Sequence, residues 1–399
     1  MELKTGYKQT EAGVIPEDWD TPSLGQLFSF KNGLNKSKKS FGHGTPIVNY
    51  MDVYSHPGIY ARDLKGLVEA NKGELESLVV RKGDVFFTRT SETVAEVGIA
   101  SVMLDDSPNT VFSGFILRAR PKNDRICDQF KKYCFSSSLV RKQITSKATY
   151  TTRALTSGRI LSAISLPLPP TKAEQEVIAE ALSDTDALIE SLEHLIAKKR
   201  DIKQGTMQEL LTGKKRLPGF GGKWIRRRLG DISHIKTGSR NNQDKRDDGE
   251  YPFFVRSATV ERIDSYSYDC EAVLIPGEGR IGNIFHYIDG RFDVHQRVYA
   301  ITHFSETTSG KYVFFYMANN FGKYAIKNTV KATVDSLRLP TFQNFELDMP
   351  QATEEQAAIV TILSDMDAEI AALEKKLTKT QHLKQGMMQP LLTGRIRLS

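Results

Sequence analysis

The chain has 399 residues, 39% hydrophobic and 26% charged, with 55 Lys and Arg against 48 Asp and Glu, which suits a globular protein of two or three domains. No run of ~18 apolar residues is present, so a membrane-spanning helix is excluded, and the N-terminal MELKTGYKQTEAGVIPEDW lacks the apolar core of a signal peptide. Cys127, Cys134 and Cys270 neither pair evenly nor show zinc-ligand spacing, which fits a reducing cytoplasm and a fold without a structural metal.

Residues 1–165 form the first predicted domain and carry 23 Lys/Arg against 17 acids. Trp19, Leu24, Gly25, Lys31 and Gly33 open it. Alternation and turn residues predict strands over 84–88 and 110–117, and a helix near 128–146. Between them lie polar loops at 35–40 and 146–153, rich in Lys, Arg, Asn, Ser and Thr.

Residues 166–217 form a predicted helical region. A capping box, Thr171 with Glu174, starts the helix, and Pro169 closes the chain ahead of it. Ile178, Leu182, Ile189, Leu192 and Ile196 make an apolar seam, with Thr185 at one seam position. A helix from 172 to 204 would be about 50 Å long. Lys203-Gln204-Gly205 is expected to bend or end it, and Gly213 suits a C-cap. Segment 203–228 then carries 8 Lys/Arg against one acid.

Residues 218–346 form the second predicted domain. Trp224, Leu229, Gly230, Lys236 and Gly238 repeat the opening motif at an offset of 205. The rest diverges from the first domain almost completely, and 229–346 is nearly neutral, 14 Lys/Arg against 15 acids. Strands are predicted over 272–275 and 297–301, with a helix over 310–328 whose Tyr312, Phe315, Phe321 and Tyr324 read as core. Polar loops lie at 239–246 and 328–333. Residues 277–282 match G-x-G-x-x-G, but the next segment reads as a strand and turn ending at Gly290. Without a helix N-terminus to hold a phosphate, this is a tight turn.

Residues 347–399 repeat the helical region. Leu347–Leu398 aligns without a gap on Leu166–Leu217 at an offset of 181, identical at 25 of 52 positions. The seam recurs as Ile359, Leu363, Met366, Ile370, Leu373 and Leu377, spaced 4, 3, 4, 3, 4. Such a seam suits a partner helix, and the natural one is the other copy, antiparallel because a whole domain separates the two; the alternative is that each helix packs on its own domain as ordinary core. Thr353 with Gln356 offers a second capping box. The C-terminal Leu-Leu-Thr-Gly-Arg-Ile-Arg-Leu resembles the segment before Trp224, as Lys4-Thr5-Gly6 resembles what precedes it, so the two ends are expected to meet.

The chemistry of the inserts is that of a polyanion partner. Lys and Arg suit phosphates, Arg suits guanine edges and Asn or Gln adenine edges. The DNA-contact candidates are Lys36, Lys38, Lys39, Arg89, Lys147 and Arg153 in the first domain, and Arg240, Lys245, Arg246, Arg256, Arg280 and Lys331 in the second. No Walker A, N/D-P-P-Y/F or H-E-x-x-H motif and no carboxylate cluster is present, so no catalytic residue is assigned.

Two blocks of the form L-P-x-P…E-Q…S-D-x-D…K-Q-G-x-M-Q…L-L-T-G, with two W…L-G openings, cover essentially the whole chain and resemble the specificity subunit of type I restriction–modification systems. The second block departs at Asp348, where the first has Pro167. The resemblance implies a mixed α+β chain with two target recognition domains and two long antiparallel coiled-coil-like helices in pseudo-two-fold arrangement. It implies that each domain reads half of a bipartite site in double-stranded DNA while the helices set the spacer. Two methyltransferase subunits carrying S-adenosylmethionine and the restriction–translocase subunits are the implied partners. The chain itself would hold no cofactor and catalyse nothing. Two other readings stay open on the residues alone: a helical scaffold that recruits two proteins without reading DNA, and an enzyme using the 277–282 turn.

Overall fold

The computed structural model describes residues 5–329 and 336–398. The chain is mixed α+β and divides into two compact units. Unit 1 comprises residues 1–191 and 377–399, and unit 2 residues 192–376. The division falls inside two long helices, Lys172–Leu210 of 39 residues and Thr353–Leu392 of 40. Each unit therefore owns a sheet domain, the N-terminal part of one helix and the C-terminal part of the other. The helical regions set apart in the sequence are here shared out between the domains.

Unit 1 is built on a five-stranded sheet in the order Phe28–Asn32, Ile116–Pro121, Val85–Thr88, Ala100–Met103, Gly58–Ile59. The first three pairings are antiparallel and the last parallel. Unit 2 has the order His234–Thr237, Val298–Thr302, Tyr268–Pro276, His286–Val294, Tyr251–Phe254, Glu261–Ile263. Its first three pairings are again antiparallel, and Tyr251–Phe254 runs parallel to the end of His286–Val294. Unit 1 repeats that last feature in a small separate sheet, with Val111–Phe112 parallel to Phe41–Val48 and Leu67–Val68 antiparallel beyond it. Residues 104–110 interrupt in unit 1 what is one strand in unit 2. The inserts share no sequence pattern, yet they share a topology.

Several expected elements shift. The strand expected over 110–117 is two, Val111–Phe112 and Ile116–Pro121, separated by a turn at Ser113-Gly114-Phe115. The helix expected near 128–146 breaks into Asp128–Lys131, a 3-10 turn Cys134–Ser136 and Ser138–Lys147, because the Ser137 hydroxyl caps a new start by accepting from Val140 N. Helix Gly310–Lys327 is continuous, with Tyr312, Phe315 and Phe321 buried. The strand His286–Val294 runs straight through Gly290 rather than turning there.

Lys-Gln-Gly neither ends nor breaks either helix. A helical glycine costs about 1 kcal/mol, but Gly205 and Gly386 lie in open space and their neighbours are held from the side. In unit 2 Lys203 pairs with Asp367, while Lys199 meets Glu369 at 2.7 Å and Arg200 meets Glu374 at 2.5 Å. In unit 1 Lys384 meets Asp186 at 2.5 Å. From Arg200–Glu374 to Lys203–Asp367 in unit 2, and from Thr185–Met387 to Asp186–Lys384 in unit 1, the partner numbers fall as the helix numbers rise, so within each unit the two helix segments run antiparallel. The K-Q-G lysine of one repeat thus binds the second aspartate of S-D-x-D in the other, and the motif pair is an interhelical clasp. Lys203→Met with Asp367→Asn should show a coupling of about 0.5–1 kcal/mol in a double-mutant cycle, shrinking with salt. Strict additivity of the two substitutions would show that the clasp contributes nothing.

The seam residues divide between two environments. Ile178 and Leu182 are buried in the core of unit 1 beside Leu391 and Leu392, and Ile359 and Leu363 in that of unit 2 beside Leu210 and Leu211. Leu192, Ile196 and Ile370 are buried, and Ile189, Met366, Leu373 and Leu377 half-buried. The first three turns of each helix are thus domain core, with Met366 also packed against that of unit 2, and the remainder of the seam lies outside both core clusters.

Motif residues at the helix starts do structural work in duplicate. Glu174 accepts from Arg397 at 2.8 Å in unit 1, and Glu355 accepts from Arg216 at 2.6 and 2.7 Å in unit 2. Buried Gln175 bonds Cys127 N and the Arg125 and Pro169 carbonyls, while buried Gln356 bonds Ser309 N and the Thr307 and Pro350 carbonyls. Thr171 accepts from Glu174 N, half of the expected box, while the Glu174 carboxylate accepts from Arg397 and Trp19; Thr353 is already helical and forms no box, because Gln356 is committed elsewhere. Asp348 is bound by Arg226 of the neighbouring strand at 2.8 Å, which explains its place in the second block. Gly213 and Gly394 adopt φ of 68° and 69°, with Trp224 and Trp19 packed against them. Tyr7 Oη donates to Gly394 O at 3.2 Å and Arg397 meets Asp18 at 2.8 Å, so the first and last described segments meet inside unit 1. Lys4 lies outside the described residues.

Candidate nucleic-acid interface

The central strand of each sheet, Val85–Thr88 or Tyr268–Pro276, runs out into a polar loop. Backbone bonds tie that loop to two others. In unit 1 Arg89 N donates to Phe115 O, Thr156 N to Arg89 O and Gly114 N to Leu34 O. In unit 2 Gly277 N donates to Arg297 O, Leu337 N to Gly277 O and Gln296 N to Arg240 O. The two sets correspond bond for bond. Gly33 and Gly238 make the approach possible, since a Cβ there would lie 2.2 Å from Ser113 O and 1.8 Å from Val294 O. The loops at 34–40, 89–99, 113–115 and 149–155 therefore gather at one end of the first sheet. Those at 239–246, 277–285, 295–297 and the segment around Ser336 gather at the equivalent end of the second.

The candidate cations divide by what already holds them. Lys36 is bound to Glu74 at 2.8 Å. Arg240 bridges Asp293 at 3.0 Å and Ser265 at 2.9 Å, a partly buried strut that stiffens its loop. Lys245 faces Glu261 and Arg246 faces Asp264, both at 3.7 Å, and Arg256 faces Glu278 at 3.6 Å. Arg89 is half-buried, with Nη1 donating to Gly114 O at 3.4 Å, and exposed Lys147 donates to Ala163 O at 3.0 Å. Lys38, Lys39, Arg153 and Arg280 are exposed and have no ion pair among the described residues. Lys331 lies outside them. Unit 1 thus keeps open cations, whereas unit 2 neutralises most of its own.

Sequence reading missed the aromatic and turn residues of the cluster. Phe115 is 59% exposed, Met51 58% and Tyr150 61%. Tyr50 and Tyr54 stack at 5.8 Å, and Tyr54 Oη donates to Glu96 Oε1 at 3.0 Å. Bonds from Ser91 and Tyr54 hold the Glu96 carboxyl below its ordinary range, so it stays an anion and an acceptor. In unit 2 His295 is 5% exposed, and burial, then Arg256 and Arg297, push its pKa below 6.5. Its Nδ1 accepts from Arg297 N at 3.0 Å, a bond that the neutral ring makes at that nitrogen. Among the described residues no cluster of His, Cys, Asp or Glu could hold a metal, and no helix is long and apolar enough to cross a membrane. The 277–282 turn has Gly279 and Gly282 at φ of 90° and 71°, with Gly282 against Gly322 of the helix behind it.

A family model described as "type I restriction modification DNA specificity domain" matches residues 16–198 and again 222–384. The chain belongs to this family. Both matches span a sheet domain and most of the helix that follows it. A putative type I restriction enzyme specificity subunit, MjaX, of Methanocaldococcus jannaschii is 24% identical over 98% of this chain and 97% of that one. The EcoDI specificity subunit of Escherichia coli is 26% identical over 43% of this chain and 37% of its own length. Among solved structures, the type I specificity subunit of M. genitalium superposes with a TM-score of 0.63 at 14% identity, over 98% of each chain. A chain from a type I restriction–modification complex superposes at 0.58 and 17% identity, over 96% of this chain and 99% of that one. Specificity-domain chains are the non-catalytic DNA-recognition subunits of their systems.

Proposed function

We propose that this chain is the DNA-reading subunit of a type I restriction–modification complex, each unit reading one half of a bipartite site in duplex DNA. The observation that carries the reading is the pair of equivalent loop clusters, one frame built twice with different side chains. Two identical readers would select a symmetric site; two unlike ones select two unlike half-sites. The helical repeat sets the spacer between halves and offers docking surfaces for two modification subunits, which bring S-adenosylmethionine and the methyl transfer, with restriction–translocase subunits joining to cut unmodified DNA. A modification enzyme that flips its adenine out of the stack needs its sequence read elsewhere. The candidate cations of unit 1 supply phosphate contacts, and unit 2, with most of its cations paired, depends more on base edges and DNA shape.

Footprinting of the chain together with its modification subunit tests the reading: one split motif should be protected on genomic fragments. Lys38→Glu with Lys39→Glu should weaken binding and lower the slope of log K against log salt by about 2, since each phosphate that a lysine neutralises adds roughly 0.9. Uniform protection at all sequences, or binding indifferent to Lys38 and Lys39, would favour a scaffold that does not read DNA.

A further inference from the structure

In unit 1 Ser113-Gly114-Phe115 turns the chain into the last strand, Ile116–Pro121; in unit 2 His295-Gln296-Arg297 turns it into Val298–Thr302. The two turns are one structure. Ile116 N donates to Ser113 O and Val298 N to His295 O; Ser113 N donates to Val48 O and His295 N to Phe254 O. This alignment sets Phe115 opposite Arg297, and sequence comparison could not, because the inserts share no pattern there.

Both side chains stand in solvent, Phe115 at 59% and Arg297 at 57%. Both are also aimed by a fixed backbone, since Arg89 N binds Phe115 O and Gly277 N binds Arg297 O. An exposed phenylalanine on a rigid turn adds little to a core. This one borders a cavity of about 370 Å³ with exposed Met51 and Tyr54 and the side chain of Arg153. Arg153, Glu92 and Glu96 rim this apolar patch; the cation suits a phosphate, and the carboxylates restrict the patch to the uncharged edge of a base. Arg297 is presented differently. Glu278 lies 3.2 Å from its Nη1 and 3.6 Å from Arg256 Nη1, so the carboxylate orients the fork and offsets the charge that would bind any phosphate.

We propose that the residue before the last strand determines specificity in each unit. Phe115 packs on the 5-methyl group of a thymine in one half-site, and Arg297 donates to N7 and O6 of a guanine in the other. The thymine methyl is the one apolar group that base pairs present in the major groove, and an Arg fork matches only guanine there. A backbone held in place before binding loses little entropy on contact, so less of the selectivity is spent on ordering. This inference rests on the DNA-reading function proposed above.

The test uses the full chain assembled with its modification subunits, selecting from duplexes randomised over both half-sites. The parent should return a bipartite motif with a thymine at one position of one half and a guanine at one position of the other. Phe115→Ala should lower the thymine preference about tenfold or more and leave the other half unchanged, while Phe115→Leu keeps it. Uracil in place of that thymine should weaken the parent by a similar factor and leave Phe115→Ala unaffected. Arg297→Gln should shift preference from guanine towards adenine in the second half alone, a gain that misfolding cannot imitate. A parent motif lacking these bases, or variants that return the parent preferences, would overturn the proposal while leaving the DNA-reading function standing. A parent complex that returns no motif would overturn that function itself.

Discussion

Leu363→Asp should unfold unit 2. Leu363 is fully buried in that unit's core, within the helix Thr353–Leu392 and beside residues of the sheet domain. Truncating a buried leucine costs about 2–5 kcal/mol, and a carboxylate with no buried partner adds several more or must take up a proton. The sum approaches the roughly 5–15 kcal/mol that holds a typical domain together. Calorimetry should show the transition of unit 2 abolished, and amide exchange over residues 192–376 should lose its protection. Leu373→Asp provides the contrast. Leu373 is half-buried on the same helix and absent from the core cluster, so its variant should keep unit 2 folded and weaken only the packing between helices. Equal effects of the two would contradict the division of the seam into core and pairing segments.

Gln356→Leu should cost about 3 kcal/mol or more, a large loss for a substitution of similar volume. The Gln356 amide is fully buried and makes three bonds of 2.9–3.0 Å, to Ser309 N, Thr307 O and Pro350 O. Those groups join the helix Gly310–Lys327 and the strand Glu346–Pro350 to the start of the long helix. Leucine satisfies none of them, and each buried orphan costs about 1–3 kcal/mol. Gln175→Leu should do the same in unit 1, with a smaller loss because its bond to Pro169 O is 3.5 Å long. Urea midpoints measure both. A variant within a few tenths of a kcal/mol of its parent would show that water replaces the side chain.

These glutamines also mark what was legible in the sequence. The duplicated block and heptad spacing located both long helices, because S-D-x-D and K-Q-G meet each other across the helix pair and recur with it. The repeated Gly33 and Gly238 were visible too, though only the backbone explains them. The pattern could not show that Ile178 and Ile359 face a domain rather than a helix, since both environments ask for the same apolar residues. Nor did it show that the inserts share a topology. Strand order is carried by backbone pairing, which many sequences satisfy, and residues 104–110 break in one unit a strand that is whole in the other. Residue type alone placed Lys36 and Arg240 among the candidate contacts, but it does not reveal that Glu74 and Asp293 hold them. Phe115 is hidden for the opposite reason: a lone phenylalanine in a strand-like run reads as core, and only the turn exposes it.

One frame presents two unlike readers, and adenine methylation mapping tests this central claim most directly. The chain would be expressed with its modification subunit in a host lacking adenine methylation, and the genome sequenced for modified adenines. The expected result is a single bipartite motif with two different halves and a fixed gap, present only when this chain is present. Methylation at the same sites without the chain, or at a motif with two identical halves, would contradict it.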